Sequence, residues 1–245
     1  MADSERDERQ PGGAVIAGNA GGQFVPEFQG NLRKHMLTVP GAINRASGIR
    51  IFGKLIKSIV FTTDVSIMRN VNADAVIAVY PFTPQPVITQ ALMLAADIPV
   101  FCGVGGGTTT GRRVVNLALH AEHQGAIGVV VNAPTLDETI EGMHRHIDIP
   151  IVVTVVSERD DIEARLKAGA SILNISAAAR TPEIVAGIRA RFPEAAIIAT
   201  GGPTEDSINA TIDAGANSIT WTPPTPGELF KDMMARYRQG LPRGD

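Results

Sequence analysis

The chain is poor in the residues that announce the simplest function classes. Cys102 is its single cysteine, which excludes an intramolecular disulfide and suits a reducing compartment. Charge of either sign is thin. Lys and Arg number 22 against 25 Asp and Glu, leaving a net charge of -3 with the basic residues scattered, so a nucleic-acid partner is excluded. No run approaches the roughly 18 uninterrupted apolar residues of a membrane span. The opening MADSERDERQ is acidic and lacks the basic-then-apolar order of a signal peptide, so a cytoplasmic location is expected. Familiar motifs are missing too. No GxGxxG follows the first strand, no Lys-Ser or Lys-Thr follows the glycine run Gly103–Gly111, and there is no HExxH. His35 falls in the leader and His120, His123, His144 and His146 in or beside helical segments, away from any strand end. Neither a metal nor a cofactor is expected.

What is present is a regular repeat. The 245 residues, 44% hydrophobic and 19% charged, suit one α/β barrel. Residues 1–22, rich in charge and glycine, read as a disordered tail, and residues 23–56 as a cap segment with short helical stretches such as Glu27 to Met36. The barrel is expected over residues 57–245. Short apolar, β-branched runs lie near Ser58–Thr62, Ala75–Tyr80, Pro99–Gly103, Ile127–Asn132, Ile149–Val155, Ser171–Ser176, Ala196–Thr200 and Ser218–Thr222. Helical segments separate them and end at Gly125-Ala126, Gly169-Ala170 and Gly215-Ala216, with Asn72-Ala73 in the same place before the second strand. Strands without alternation, each followed by a helix, mean a parallel sheet covered on its faces. Unusual polar residues follow nearly every strand, which favours a closed (β/α)8 TIM barrel over an open doubly wound sheet.

In a barrel the C-terminal strand ends ring one mouth, and the candidate residues are there. Ala195 to Gly202 reads as a buried strand, Thr200 and the glycine pair Gly201-Gly202, followed by a helix start where N–H groups can meet an anion. Gly105, Gly106 and Gly107 lie in the densest glycine run, which suits an anion cradle, a lid or a plain turn. Asp64 and Glu158 are the acids nearest the mouth, each either a general base or a charge at a helix N-terminus. Cys102 is either a mouth-lining thiol or a small buried hydrophobe. Lys57, at the opposite end of its strand, reads as a surface residue. Asn132 and Asn174 end the fourth and sixth strands in matching positions, and their amides need partners in substrate or in neighbouring backbone. Tyr80, Thr83 and Gln85 belong to a proline-stiffened loop that suits a pocket wall. Thr154, Ser176, Thr220 and Thr222 complete the ring.

Several stretches resemble a bacterial family of aldolase-type barrels whose members usually bear the bare name hydrolase. They are SGIRIFGK at Ser47–Lys54, NADAVIAVYPFTPQP at Asn72–Pro86, FCGVGGGTT at Phe101–Thr109, VVVNAPT at Val129–Thr135 and AGANSITWTPP at Ala214–Pro224. The likeness spans roughly Ser47 to Gly240 and implies the barrel fold. More distantly, ATGG before a helix and an AGA-strand resembles the ribulose-phosphate-binding barrels, among them 2-keto-3-deoxy-6-phosphogluconate aldolase and N-acetylmannosamine-6-phosphate epimerase. That resemblance implies phosphate binding by the last two loops. Gly201 and Gly202 match its first half, Thr222-Pro223-Pro224 departs from the second, and Asn174 stands where the aldolase places its Schiff-base lysine.

The expectation is therefore a small-molecule enzyme of the isomerase or lyase type, acting on a polar, phosphorylated or unphosphorylated carbonyl compound. The alternatives are a hydrolase with an acid-activated water and a non-catalytic ligand-sensing barrel. Apolar helix residues such as Leu229, Phe230, Met233 and Met234 suit self-association, so a homo-oligomer is expected.

Overall fold

The computed structural model describes residues 15–20, 23–28 and 36–240, in two units divided after Met36. In the first, β1 (Val15–Ala20) and β2 (Gln23–Phe28) pair antiparallel, with Val15 opposite Phe28 and Ala20 opposite Gln23. Both sequence readings of this region are corrected. Val15–Ala20 is a strand rather than tail, and Glu27-Phe28 closes β2 instead of opening a helix, whose residues 29–35 lie outside the described ones. Two β-prone runs parted by Gly21-Gly22 form a hairpin signal that the glycine-rich composition concealed.

The second unit begins with a 3-10 turn at Gly41–Arg45 and a small antiparallel hairpin, β3 (Ile49–Ile51) and β4 (Lys54–Ile56). Then come β5 (Ser58–Phe61), α1 (Val65–Met68), β6 (Ala75–Ala78), α2 (Pro86–Ala95), β7 (Val100–Gly105), α3 (Arg112–His123), β8 (Gly128–Val131) and α4 (Asp137–His144). The second half holds β9 (Ile151–Val155), α5 (Ile162–Lys167), β10 (Ile172–Ile175), α6 (Thr181–Arg191), β11 (Ala196–Thr200), α7 (Glu205–Asp213), β12 (Ser218–Trp221) and α8 (Pro226–Arg238). Strands β5 to β12 are all parallel and β12 pairs back onto β5, so the sheet is a closed (β/α)8 barrel. Gly125, Gly169 and Gly215 end their helices at positive φ, the left-handed turn that suits glycine. Asn72 does its work differently, its side-chain oxygen accepting the Val39 N–H at 2.8 Å.

Alternation along each strand separates two cores. Outward residues such as Val60, Val76, Val131 and Ile197 pack with the helices, and inward residues such as Ile59, Phe101, Val152 and Ile198 fill the barrel. Ile51 and Ile56 of the β3–β4 hairpin join the inner cluster and stop the end where the strands begin. Ser218 Oγ donates to the Ile56 carbonyl at 2.7 Å, and Asp74 Oδ2 accepts from the N–H groups of Lys57 and Ser58. Lys57 itself turns outward, its Nζ donating to the Asn44 carbonyl.

The outer core decides the fate of two sequence candidates. Cys102 is outward on β7, 2% exposed among residues that pack with the helices, and desolvation pushes its thiol pKa up to about 12. Its placement at the mouth is corrected: one residue of β-alternation sends it to the other face of the sheet. At the closing seam, residues 37–48 run from α1 to α7. Leu37 bonds to Asn70 and Asn72, Ile43 is fully buried, Arg45 reaches Asn209 and Asp213, and the Gly48 N–H donates to Asn217. With this segment on the wall, α8 buries no residue, and Phe230, Met233 and Met234 are exposed. Among the described residues no helix is long and apolar enough to cross a membrane.

Two outcomes follow from this packing. Ile56→Ala removes a plug side chain that is 1% exposed, and urea denaturation should show a loss of about 3 kcal/mol. Cys102 in the native chain should stay inert to a thiol reagent at pH 8, because it is buried and desolvation pushes its pKa up, and should react fully once denaturant opens the fold.

Candidate functional site

The pairing registers fix which side chains meet inside the barrel. Each second strand is staggered by two residues, so alternate strands supply one layer. Following the registers round, Ile77, Val130, Asn174 and Thr220 share a middle layer, and Phe61, Gly103, Thr154 and Thr200 lie above it. The alternation carries on at the rim to Val79, Asn132, Ser176 and Thr222. The mouth is thus two-sided. β9 to β12 line it with hydroxyls and an amide, whereas β5 to β8 contribute hydrocarbon, the Gly103 gap and Asn132. Asn132 and Asn174 do not match: Val130 is the counterpart of Asn174, and Asn132 sits two layers higher, at the rim.

Two atoms on the polar side have no partner. Asn174 is 9% exposed, and its Nδ2 donates to Thr154 Oγ1 at 3.4 Å while its Oδ1 is left without a bond. Turning the amide over exchanges which atom is orphaned and leaves the deficit. Thr220, 6% exposed and adjacent in the same layer, has an equally orphaned Oγ1. Above them Thr200 Oγ1 donates to Ser176 Oγ at 3.4 Å. An unmet buried polar group costs about 1–3 kcal/mol, and two of them in one inward layer of the barrel mark a place for solvent or ligand. Thr220 was in the ring read from sequence, but only its neighbours were singled out for binding. The alternation Ser218-Ile219-Thr220-Trp221 was the signal that it faces inward.

On the apolar side a cleft of about 260 Å³ lies between Tyr80, Phe82, Gly105, Thr109 and Asn132 and reaches down through Gly103 to Val130. Tyr80 forms its wall, its phenol oxygen accepting the Gln85 N–H at 3.1 Å. Gln85 is spent on starting α2, and neither it nor Thr83 lines the cleft. The glycine run is tied down. Gly106 N–H donates to the Thr109 carbonyl and Asn132 N–H to that of Gly105, across a bulge between Gly103 and Gly105. Gly106, at φ 97°, packs so closely on the β8 loop that a Cβ would collide with Thr135 Oγ1 and Asn132 N. That loop is clasped in turn by Arg165, which donates to the carbonyls of Ala133 and Thr135 and pairs with Asp137 at 2.7 Å. Arg165 was invisible in the sequence because its targets lie about thirty residues away.

A wider, more open cleft of about 860 Å³ lies between the β11 and β12 loops and α8, lined by Thr200, Gly202, Thr220, Thr222 and Lys231 among others. Gly201 is buried where a Cβ would strike Ile208 and Ile219, and Gly202 turns at φ 79° against Ser207. Packing explains both glycines.

The acids are engaged elsewhere. Asp64 Oδ1 accepts from Ser66 Oγ and from the N–H groups of Ser66 and Ile67, capping α1, and these bonds hold its pKa below the usual carboxylate range. Glu158 pairs with Arg180 at 2.8 Å and lines a depression beside α5 and α6 instead of the barrel mouth. For both, the helix-end and surface readings describe what the structure shows. Among the described residues no group of three His, Cys, Asp or Glu side chains converges as a metal site.

Comparison with known proteins agrees with the fold. No family model matches the chain. The 4-hydroxy-tetrahydrodipicolinate synthase of Nitrobacter hamburgensis (strain DSM 10229 / NCIMB 13809 / X14) is 30% identical over 99 residues, 37% of this chain and 33% of that protein. The chain therefore matches about a third of that relative's length. Among solved structures, a phosphonopyruvate hydrolase in complex with oxalate and Mg2+ superposes with a TM-score of 0.59 at 11% identity, covering 82% of this chain and 88% of the other. QR15, an aldolase, gives 0.53 at 17% identity over 74% and 95%. At such identities the shared property is the architecture, a closed (β/α)8 barrel.

Proposed function

We propose that this chain is a small-molecule enzyme working at the C-terminal mouth of its barrel, by acid–base chemistry of the isomerase or lyase type on a polar carbonyl compound. The observation that carries the reading is the pair of buried, unpartnered groups, Asn174 and Thr220, below Thr154 and Thr200. Hydrogen-bond donors fixed in a largely dry cavity are what a carbonyl oxygen needs as it gains negative charge when a neighbouring C–H loses its proton. The Thr220 hydroxyl fits that role, and so does Asn174 Nδ2 once the amide turns over and its Oδ1 accepts from Thr154 Oγ1 in exchange. Proton transfer then falls to the rim, where Asp64 follows β5; its bonds capping α1 all fall on Oδ1, and the proton is assigned to Oδ2. The names of the related barrels, a hydrolase, an aldolase and a synthase, agree with an enzyme. A hydrolase would use the same carboxylate on water.

One observation favours a second reading. No inward residue of the three upper layers ionises, which suits a barrel that binds a ligand without turning it over. Self-association through the exposed face of α8 belongs to either reading.

Turnover separates them. With small carbonyl compounds in D2O, NMR should show deuterium entering next to the carbonyl, or cleavage there. Asp64→Asn should slow this by about a hundred-fold while ligand-induced thermal stabilisation persists. Stabilisation with no exchange, cleavage or hydrolysis by the native chain would leave the binding barrel standing and remove the enzyme.

A further inference from the structure

We infer that the mouth takes an uncharged ligand: an unphosphorylated polyhydroxy carbonyl compound, such as an aldose, a ketose or a sugar lactone. The inference rests on the reading of the mouth as the binding site and narrows its substrate class. Three observations carry it.

The first is the charge inside the barrel. From Ile77, Val130, Asn174 and Thr220 up to Val79, Asn132, Ser176 and Thr222, the inward side chains are amides, hydroxyls and hydrocarbon. A phosphate or carboxylate placed there would lose its water and meet no opposite charge, a cost of several kcal/mol.

The second is the place between the last two loops, where helix N-termini would otherwise receive an anion. At α8 that place is filled by the chain itself. Thr225 N–H and Oγ both donate to Glu228 Oε2 at 2.8 Å, in a capping box. Pro223, Pro224 and Pro226 bring no N–H. At α7 the Ser207 N–H is taken by Thr204 Oγ1, and Glu205 and Asp206 occupy the first turn. Among the described residues lining this cleft Lys231 is the only cation, and it shares the cleft with two acids, Glu228 and Asp232.

The third is the shape of the polarity. Thr154, Asn174, Ser176, Thr200 and Thr220 make one continuous arc of groups that donate and accept, whereas Phe61, Ile77, Val79 and Val130 face it with hydrocarbon. A ring with a hydroxylated edge and a carbon face fits such a mouth, its O–H groups supplying what Asn174 Oδ1 and Thr220 Oγ1 lack.

The test is thermal stabilisation and calorimetry on the full chain. One set of probes is fructose, xylose and xylonolactone, and the other is fructose 6-phosphate, inorganic phosphate and pyruvate. A member of the uncharged set should bind, with an affinity unmoved by added salt. Thr220→Val, nearly isosteric, should raise the melting temperature of the free chain, because an orphaned hydroxyl is gone, and should weaken binding by roughly ten-fold. Asn174→Leu should weaken it at least as much. A merely structural Thr220 would instead lower the melting temperature and leave affinity alone. Tighter binding of a charged probe, weakened by Thr220→Val, would overturn the uncharged ligand and keep the mouth as the site. Binding by neither set, or binding indifferent to both variants, would overturn the mouth reading as well.

Discussion

Closing a parallel sheet on itself imposes a stagger, and in this chain that stagger determines everything inside the barrel. Each pair of strand steps advances the inward residues by two, so that side chains distant in sequence are brought to one height. Asn174 and Thr220 become neighbours for this reason, and Asn132 is lifted above both. The closure also depends on its stopper. Without Ile51 and Ile56 beneath them, Ile59, Ile172 and their neighbours would face water at the strand starts. The hairpin thereby supports the layers on which the mouth rests, a link between stability at one end and geometry at the other.

Above the layer of Ile59, Phe101, Val152 and Ile198 the barrel changes character, from hydrocarbon all round to hydrocarbon on one side only. The polar half needs no charge to be selective. Amides and hydroxyls in a low-dielectric cavity bind strongly when matched and penalise a ligand that leaves them unmatched. The carboxylates nearest the mouth loops serve helix ends. Asp64 holds a one-turn helix that would scarcely form unaided, and Glu228 supplies the negative end that α8 requires.

Most of the fold was legible in the sequence because period and punctuation agreed. Uninterrupted β-branched runs placed every barrel strand within about two residues, and Gly125, Gly169 and Gly215 marked the returns. The β1–β2 hairpin was missed because charge and glycine around it resemble a tail. The site was legible only as a ring. Which members of the ring face inward depends on a parity that shifts with a single residue, and Cys102 fell on the wrong side of it. Asn174, Thr154 and Thr200 fell on the right side. Arg165 and the tied glycine loop depend on contacts between distant loops, which no local pattern records.

The two orphaned atoms lower the stability of the barrel. A valine at position 220 and a leucine at 174 would extend the apolar pattern of their strands and fill the middle layer as Ile77 and Val130 do across the barrel. Such a core would be more stable, since each unmet polar group costs about 1–3 kcal/mol against a total on the order of 10 kcal/mol. Keeping polar groups there is a local conflict within an otherwise consistent sequence, and conflicts of that kind collect where a protein works. The same logic treats Gly106 differently. Its demand is steric and satisfied within the fold, by contacts to Thr135 and Asn132, so it marks construction of the mouth rather than contact with what enters it.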